Sequence, residues 1–179
     1  MLIASEFFYA FACFVDDVPL HNWTRQTAAR VEEAIRLSNN RPGGSVPVLP
    51  YGNCWTTRTY SNGSKASVML PLDFLNVQVK TMAEVGAAGV MLWGSSSFVN
   101  TQAKCQQIQQ YISNVLGPLV NETLQDAELC SKEHCGSKGR CITYQAPPPN
   151  LLTTRVQQVS FSGCRCFPGV KGDSCQTLA

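Results

Sequence analysis

The sequence is short of histidine, of unbalanced charge and of long apolar runs, and each shortage removes a class of function. There are two histidines, His21 and His134, and none of the nine cysteines stands in a Cys-x2-Cys pair. No zinc or other metal centre is therefore expected. Lys and Arg total 14 against 12 Asp and Glu, so there is no electrostatic footprint for nucleic acid. The apolar run over residues 7–15 is far too short to cross a bilayer, and no transmembrane segment is expected. The same run has no Lys or Arg before it, and Glu6 interrupts its approach. Although Ala10-Phe11-Ala12 imitates a cleavage site, the run does not read as a secretory leader. Residues 1–21 read instead as a buried strand, or as sequence foreign to the fold that follows.

What the chain has in local excess is cysteine. Six of the nine fall in one stretch, as Cys130-x4-Cys135-x5-Cys141 and then Cys164-x-Cys166-x8-Cys175. Six cysteines admit many pairings, so counting leaves the connectivity open. A segment this short cannot bury enough apolar surface to fold unaided, and disulfides have to hold it. The expected compartment is therefore oxidising. Three glycosylation sequons agree with secretory passage: Asn22-Trp23-Thr24, Asn62-Gly63-Ser64 and Asn121-Glu122-Thr123. The cysteine-rich stretch is also mildly basic. Lys132, Lys138, Arg140, Arg155, Arg165 and Lys171 face Glu133 and Asp173, which reads as a solvated surface or, more sharply, as a polyanion contact.

Upstream, hydrophobic periodicity alternates between helix and strand. A helix is predicted over 22–38, with Thr27, Val31, Ala34, Ile35 and Ser38 on one face. Asn39-Asn40-Arg41-Pro42-Gly43-Gly44 stops it. A strand is predicted over 46–51, and residues 52–69, rich in Thr, Ser, Asn and Gly, read as a long loop. A helix over 72–85 follows, then a strand over 90–94 and a polar loop, Ser95-Ser96-Ser97. Ile108, Tyr111, Ile112, Val115 and Leu116 mark a third helix, which Gly117-Pro118 is expected to close. This alternation predicts βα units with a parallel sheet, both strands opening onto polar loops at their C-terminal ends. A complete β/α barrel needs about 250 residues, so residues 20–129 can supply only its last two or three units.

These residues carry two resemblances. Cys164-Arg165-Cys166-Phe167-Pro168-Gly169 with one further cysteine resembles the epidermal-growth-factor-like module. That resemblance implies the pairs Cys130–Cys141, Cys135–Cys164 and Cys166–Cys175. The stretches Arg30-Val31-Glu32-Glu33-Ala34-Ile35-Arg36, Pro47-Val48-Leu49-Pro50-Tyr51 and Gly86-Ala87-Ala88-Gly89-Val90-Met91-Leu92-Trp93-Gly94 resemble the C-terminal part of animal hyaluronidases. So do Cys105, Leu116-Gly117-Pro118, Val120-Asn121-Glu122-Thr123 and Cys130-Ser131. The family is a distorted β/α barrel followed by such a module. The implied fold class is therefore α/β: an incomplete, TIM-like barrel remnant over 22–129 and a disulfide-rich module over 130–179, after an uncertain segment over 1–21.

The family's implied chemistry is endo-hydrolysis of a β-linked N-acetylhexosaminide in hyaluronan, and often chondroitin. A Glu is the general acid, and an Asp two residues earlier orients the acetamido group whose carbonyl oxygen attacks. This substrate-assisted route departs from the usual two-carboxylate scheme. Its Phe-Asp-x-Glu-x-Trp context is absent, so no catalytic residue is assigned. The lone Asp-x-Glu, Asp126-Ala127-Glu128, lacks flanking aromatics and reads as a solvated linker. The family's acidic residue beyond the Pro-Tyr strand also has no counterpart, for Gly52-Asn53-Cys54-Trp55-Thr56-Thr57-Arg58 contains no carboxylate.

Two substrate-binding residues carry over by resemblance: Tyr51 would offer its phenol, and Trp93 an apolar face to a sugar ring. Plain core packing is the alternative for each. Cys105 corresponds to a residue whose family partner lies near the start of the barrel, so it is expected to be unpaired, with Cys13 and Cys54 as substitutes only by luck of geometry. No cofactor is implied. The expectation is a truncated or alternatively spliced hyaluronidase-family chain, inactive alone. It would pass through the secretory pathway to an extracellular or lysosomal site and have hyaluronan or a related glycosaminoglycan as partner. A non-catalytic secreted hyaluronan-binding or adhesion protein is the alternative. Open strand edges lead to the further expectation that residues 1–129 are loose or oligomeric while residues 130–179 hold together.

Overall fold

A computed structural model describes residues 19–40, 46–94, 96, 99–144 and 161–179. The readings made on residues 1–18, Cys13 among them, lie outside the described residues. Helix α1 runs Leu20–Asn39, and its buried positions include Thr27, Val31, Ala34, Ile35 and Ser38, the face the periodicity predicts. It packs on α2, Leu72–Glu84. Ala28, Val31 and Ile35 meet Met82, Val85 and Ala87 in one buried cluster. Ser38 ties the end of α1 to the next segment: its hydroxyl donates to the Val46 carbonyl at 2.6 Å and accepts from the Val46 N–H at 2.8 Å.

The strand predicted over 46–51 begins later. Strand β1 is Tyr51–Asn53, paired in parallel with β4, Met91–Trp93, in the register Tyr51↔Met91, Gly52↔Leu92, Asn53↔Trp93. Pro47 and Pro50 explain the delay, since neither has an N–H to give to a ladder. The segment still uses its carbonyls: Val48 accepts from Ala88 at 2.9 Å and Pro50 from Met91 at 2.8 Å.

Residues 52–69 are not a loop. β2, Trp55–Thr59, and β3, Lys65–Met69, form an antiparallel hairpin, with Trp55 opposite Met69 and Thr59 opposite Lys65. The hairpin closes on Asn62-Gly63, and Gly63 takes a left-handed φ of +78°, the conformation such turns ask of glycine. At its base the Tyr111 hydroxyl donates to the Leu70 carbonyl at 2.7 Å. Tyr111 also packs, with Val115 and Leu116, on a second buried cluster of Leu70, Leu75, Val79 and Leu119.

The third helix does not stop at Gly117-Pro118. α3, Gln102–Tyr111, passes through a π-helical turn at Ile112–Leu116 into α4, Gly117–His134. Proline lacks an N–H and crowds the preceding turn of an α-helix. The π turn absorbs that mismatch, with the Gly117 N–H bonding back to the Ile112 carbonyl. A Cβ at position 117 would lie 2.8 Å from that carbonyl oxygen, so the position favours glycine. The turn also rotates the helix face: Ile112, predicted on the buried stripe, is 48% exposed. Asp126, Ala127 and Glu128 lie on the solvated side of α4 and not in a linker.

Beyond α4, β5 (Gly139–Ile142) pairs antiparallel with β6 (Gly163–Cys166), and β7 (Val170–Lys171) with β8 (Thr177–Leu178). Disulfides join Cys130–Cys141, Cys135–Cys164 and Cys166–Cys175. The unit's small core is Cys135, Cys141 and Cys175, with Val170 against it. It docks on the C-terminal end of α2. The Glu84 carbonyl accepts from Thr143 N–H at 2.8 Å and Tyr144 N–H at 3.1 Å, and Arg165 Nε donates to the Val85 carbonyl at 2.8 Å. These donors satisfy carbonyls that a helix end leaves open. Gly86, at φ +83°, leaves room for the Arg165 side chain, which a Cβ there would meet at 2.7 Å. Among the described residues, no helix is long and apolar enough to cross a membrane.

Candidate functional site

The β1–β4 ladder has two unlike faces. Successive strand residues point to opposite sides, so Gly52 and Leu92 share one face and Tyr51, Asn53, Met91 and Trp93 the other. The first face is covered by α2. Gln78, fully buried there, accepts the Asn53 N–H through Oε1 at 2.6 Å. A side chain at Gly52 would collide with the Gln78 amide oxygen and with Leu92, so the absence of a Cβ lets α2 approach the strand closely.

The second face is open. Met91 is 38% exposed and Trp93 57% exposed, while Tyr51 and Asn53 are half-buried. The Trp93 indole is thus open at its strand's C-terminal end. Tyr51 begins β1 and Trp93 ends β4, so they lie on one face, offset by two residues or roughly 7 Å along the strands. Asn53, two residues beyond Tyr51 and opposite Trp93 in register, shares the face and was not singled out in the sequence. The period-2 rule counted from Tyr51 is the signal that would have found it.

Among the described residues this face offers no carboxylate from its own strands: positions 51, 53, 91 and 93 carry none, and the chain from Tyr51 to Leu72 contains neither Asp nor Glu. Asp126 and Glu128 are on a separate element, the solvated side of α4. Glu84 is a carboxylic acid whose pKa burial pushes up, an effect Lys80 opposes. It sits where α2 ends, which chain order puts at the N-terminal end of β4. That is the wrong end for chemistry in a β/α arrangement. The structure thus places Tyr51 and Trp93 on one face and, among the described residues, joins no acid to them.

The thiols are similarly placed for structure. Cys54 and Cys105 are free among the described residues. Burial raises the Cys54 pKa, which suppresses its thiolate. Cys105 donates to the Val99 carbonyl at 3.3 Å. Burial, with a smaller contribution from Cys54, raises the pKa of Tyr111 well above the usual phenol, so that hydroxyl serves as a donor to Leu70. Among the described residues no group of three His, Cys, Asp or Glu side chains could hold a metal ion.

A sequence model of the hyaluronidase family matches residues 18–163. Hyaluronidase-1 of Rattus norvegicus is 30% identical over 173 residues, covering 82% of this chain and 37% of that protein. Hyaluronidase conohyal-Cn1 of Conus consors is 31% identical over 168 residues, covering 87% of this chain and 36% of that protein. Among solved structures, bee venom hyaluronidase is 29% identical with a TM-score of 0.50, over 58% of this chain and 31% of that one. The chain spans a little over a third of the length of these curated relatives.

Proposed function

Because the chain belongs to the hyaluronidase family, we propose that its open β1–β4 face is the sugar-binding portion of a glycosidase that hydrolyses hyaluronan or a related glycosaminoglycan. In this reading residues 22–129 form the last units of a β/α barrel, residues 130–179 an epidermal-growth-factor-like module, and residues 1–21 an unassigned N-terminal segment whose last two residues, Leu20 and His21, begin α1. Tyr51 offers a phenol, Asn53 an amide, and Trp93 an indole against which the apolar face of a sugar ring can rest. The observation that carries the reading is Trp93, 57% exposed at the C-terminal end of its strand, on the face that α2 leaves uncovered.

The same face predicts what this chain does not do. Hydrolysis by the family's route needs an acid to protonate the departing glycosidic oxygen, and a carboxylate to hold the acetamido group while its carbonyl oxygen attacks. General acid–base help alone contributes about 10²–10⁴-fold. With no acid on the face among the described residues, and no Phe-Asp-x-Glu strand in the sequence, the chain by itself binds and does not cleave. A non-catalytic secreted hyaluronan-binding or adhesion role is favoured by the same observation. The three disulfides support an oxidising, secretory compartment, extracellular or lysosomal. Reducing-end release from hyaluronan by the purified chain tests the proposal. No release above buffer is expected. Turnover comparable to that of a longer family member would overturn the assignment, and its loss in Glu128→Gln would shift the chemistry to α4.

A further inference from the structure

We propose that Asn62, at the tip of the β2–β3 hairpin, is a glycosylation acceptor whose own turn prepares its side chain for the transfer. The turn is closed by short-range bonds. Gly63 N–H donates to the Tyr60 carbonyl at 2.8 Å, and Tyr60 N–H to the Ser64 carbonyl at 2.9 Å. Within it, Asn62 Oδ1 accepts twice from the third sequon residue: from Ser64 N–H at 3.0 Å and from Ser64 Oγ–H at 2.7 Å. This is an Asx turn. Two donors on the amide oxygen draw electron density from the nitrogen and make its N–H more acidic, while Oδ1 is engaged within the turn. Residues 60–64 are exposed.

The other sequons differ. Thr24 and Thr123 turn their hydroxyls to helix carbonyls, of Leu20 at 3.2 Å and Leu119 at 2.8 Å, not to the asparagine. Thr123 is buried besides. The bonds around Asn62 all fall within five residues, so this turn can form in a nascent chain before the barrel portion packs.

The transfer takes a lipid-pyrophosphate-linked oligosaccharide as donor. Nδ2 attacks the anomeric carbon, the N–C bond forms as the C–O bond to phosphate breaks, and the lipid pyrophosphate leaves with that electron pair. The proton from Nδ2 passes to a base of the transferase. The product places a bulky hydrophilic group at the end of a ribbon whose strands, among the described residues, pair with each other alone. Such a group opposes edge-to-edge association with another chain.

The inference rests on the secretory reading above, so its test supplies the compartment independently. The full chain is translated into microsomes behind a heterologous secretory leader, and formation of Cys166–Cys175 reports arrival. The expected result is a glycopeptide at Asn62, converted to Asp by peptide N-glycosidase. The modification is lost in Asn62→Gln and Ser64→Ala and kept in Ser64→Thr. Gly63→Val keeps the motif but opposes the left-handed turn, and it lowers occupancy severalfold. An unmodified Asn62 in chains whose Cys166–Cys175 bond has formed, or unchanged occupancy in Gly63→Val, would overturn the proposal.

Discussion

Around Val31 and Leu75 the chain is held by helix faces pressed together, whereas around Cys135 and Cys175 it is held by sulfur. The helical region buries Val31, Leu75 and Val85 completely and needs no covalent link. Even so, it leaves one face of its two-stranded sheet bare. The cysteine unit has strands of two to four residues and a core that is mostly cystine, yet three bridges close it. The helical region commits its apolar surface to stability on one side of the sheet and spares the other. The cysteine unit has no surface to spare and substitutes cross-links for it.

The largest expected effects come from removing each region's own support. Cys135→Ser with Cys164→Ser should cost about 2–5 kcal/mol and unfold the cysteine unit. Hydrogen exchange should show lost protection in β5 and β6 while α1 and α2 keep theirs. Leu75→Ala should cost a comparable figure of about 2–5 kcal/mol, by cavity formation among Leu70, Val79 and Leu119, and thermal or denaturant unfolding should show the loss. If either change melted both regions together, the contrast would be wrong and the chain would be one cooperative unit.

The junction is where a smaller change sharpens the contrast. Arg165→Met removes the donor to the Val85 carbonyl and should cost about 1–2 kcal/mol, read as independent melting of the two regions. Glu84, at the same junction, gives a pH signature. Burial raises its folded pKa, so the folded state holds that proton more tightly than the unfolded chain does. Its contribution to stability is full below the ordinary glutamate range and is lost as pH rises through the raised value. Glu33 runs the other way, since its hydrogen bond to Arg36 lowers its pKa. Glu84→Gln should therefore flatten the decline in stability above the ordinary glutamate range. Unfolding midpoints at several pH values check the slope.

The sequence made the helical region's inner side legible because α1 is amphipathic at clean spacing, and Ser38, read as part of that face, proves to tie α1 to Val46. Other features were hidden for physical reasons. Pro47 and Pro50 sit in an apolar run that looks like a strand, but a ladder needs N–H groups that prolines lack. The hairpin did carry a signal, Asn62-Gly63 between Thr-rich runs, which polarity disguised as loop. Gly117-Pro118 normally ends a helix; here a π turn carries the helix past it, and no local pattern announces that. The cysteine spacing left the pairing open, and only the family resemblance implied the three bonds that the structure contains. Of the candidate site, Trp93 was legible as a strand end, whereas Tyr51, read as the end of a strand over 46–51, begins β1. Their shared face, and Asn53 opposite Trp93, required the parallel register.

Trp93 is the most direct probe of the open β1–β4 face. Because Trp93 is already exposed, Trp93→Ala should shift the unfolding midpoint little, while its loss as a sugar platform weakens binding by about fivefold to tenfold. Titrating hyaluronan oligosaccharides into the chain, followed by tryptophan fluorescence for the native protein and by calorimetry for both, measures this. The expected result is saturable binding by the native chain, weakened in Trp93→Ala at unchanged stability. Equal affinity in the two, with a folded variant, would contradict it.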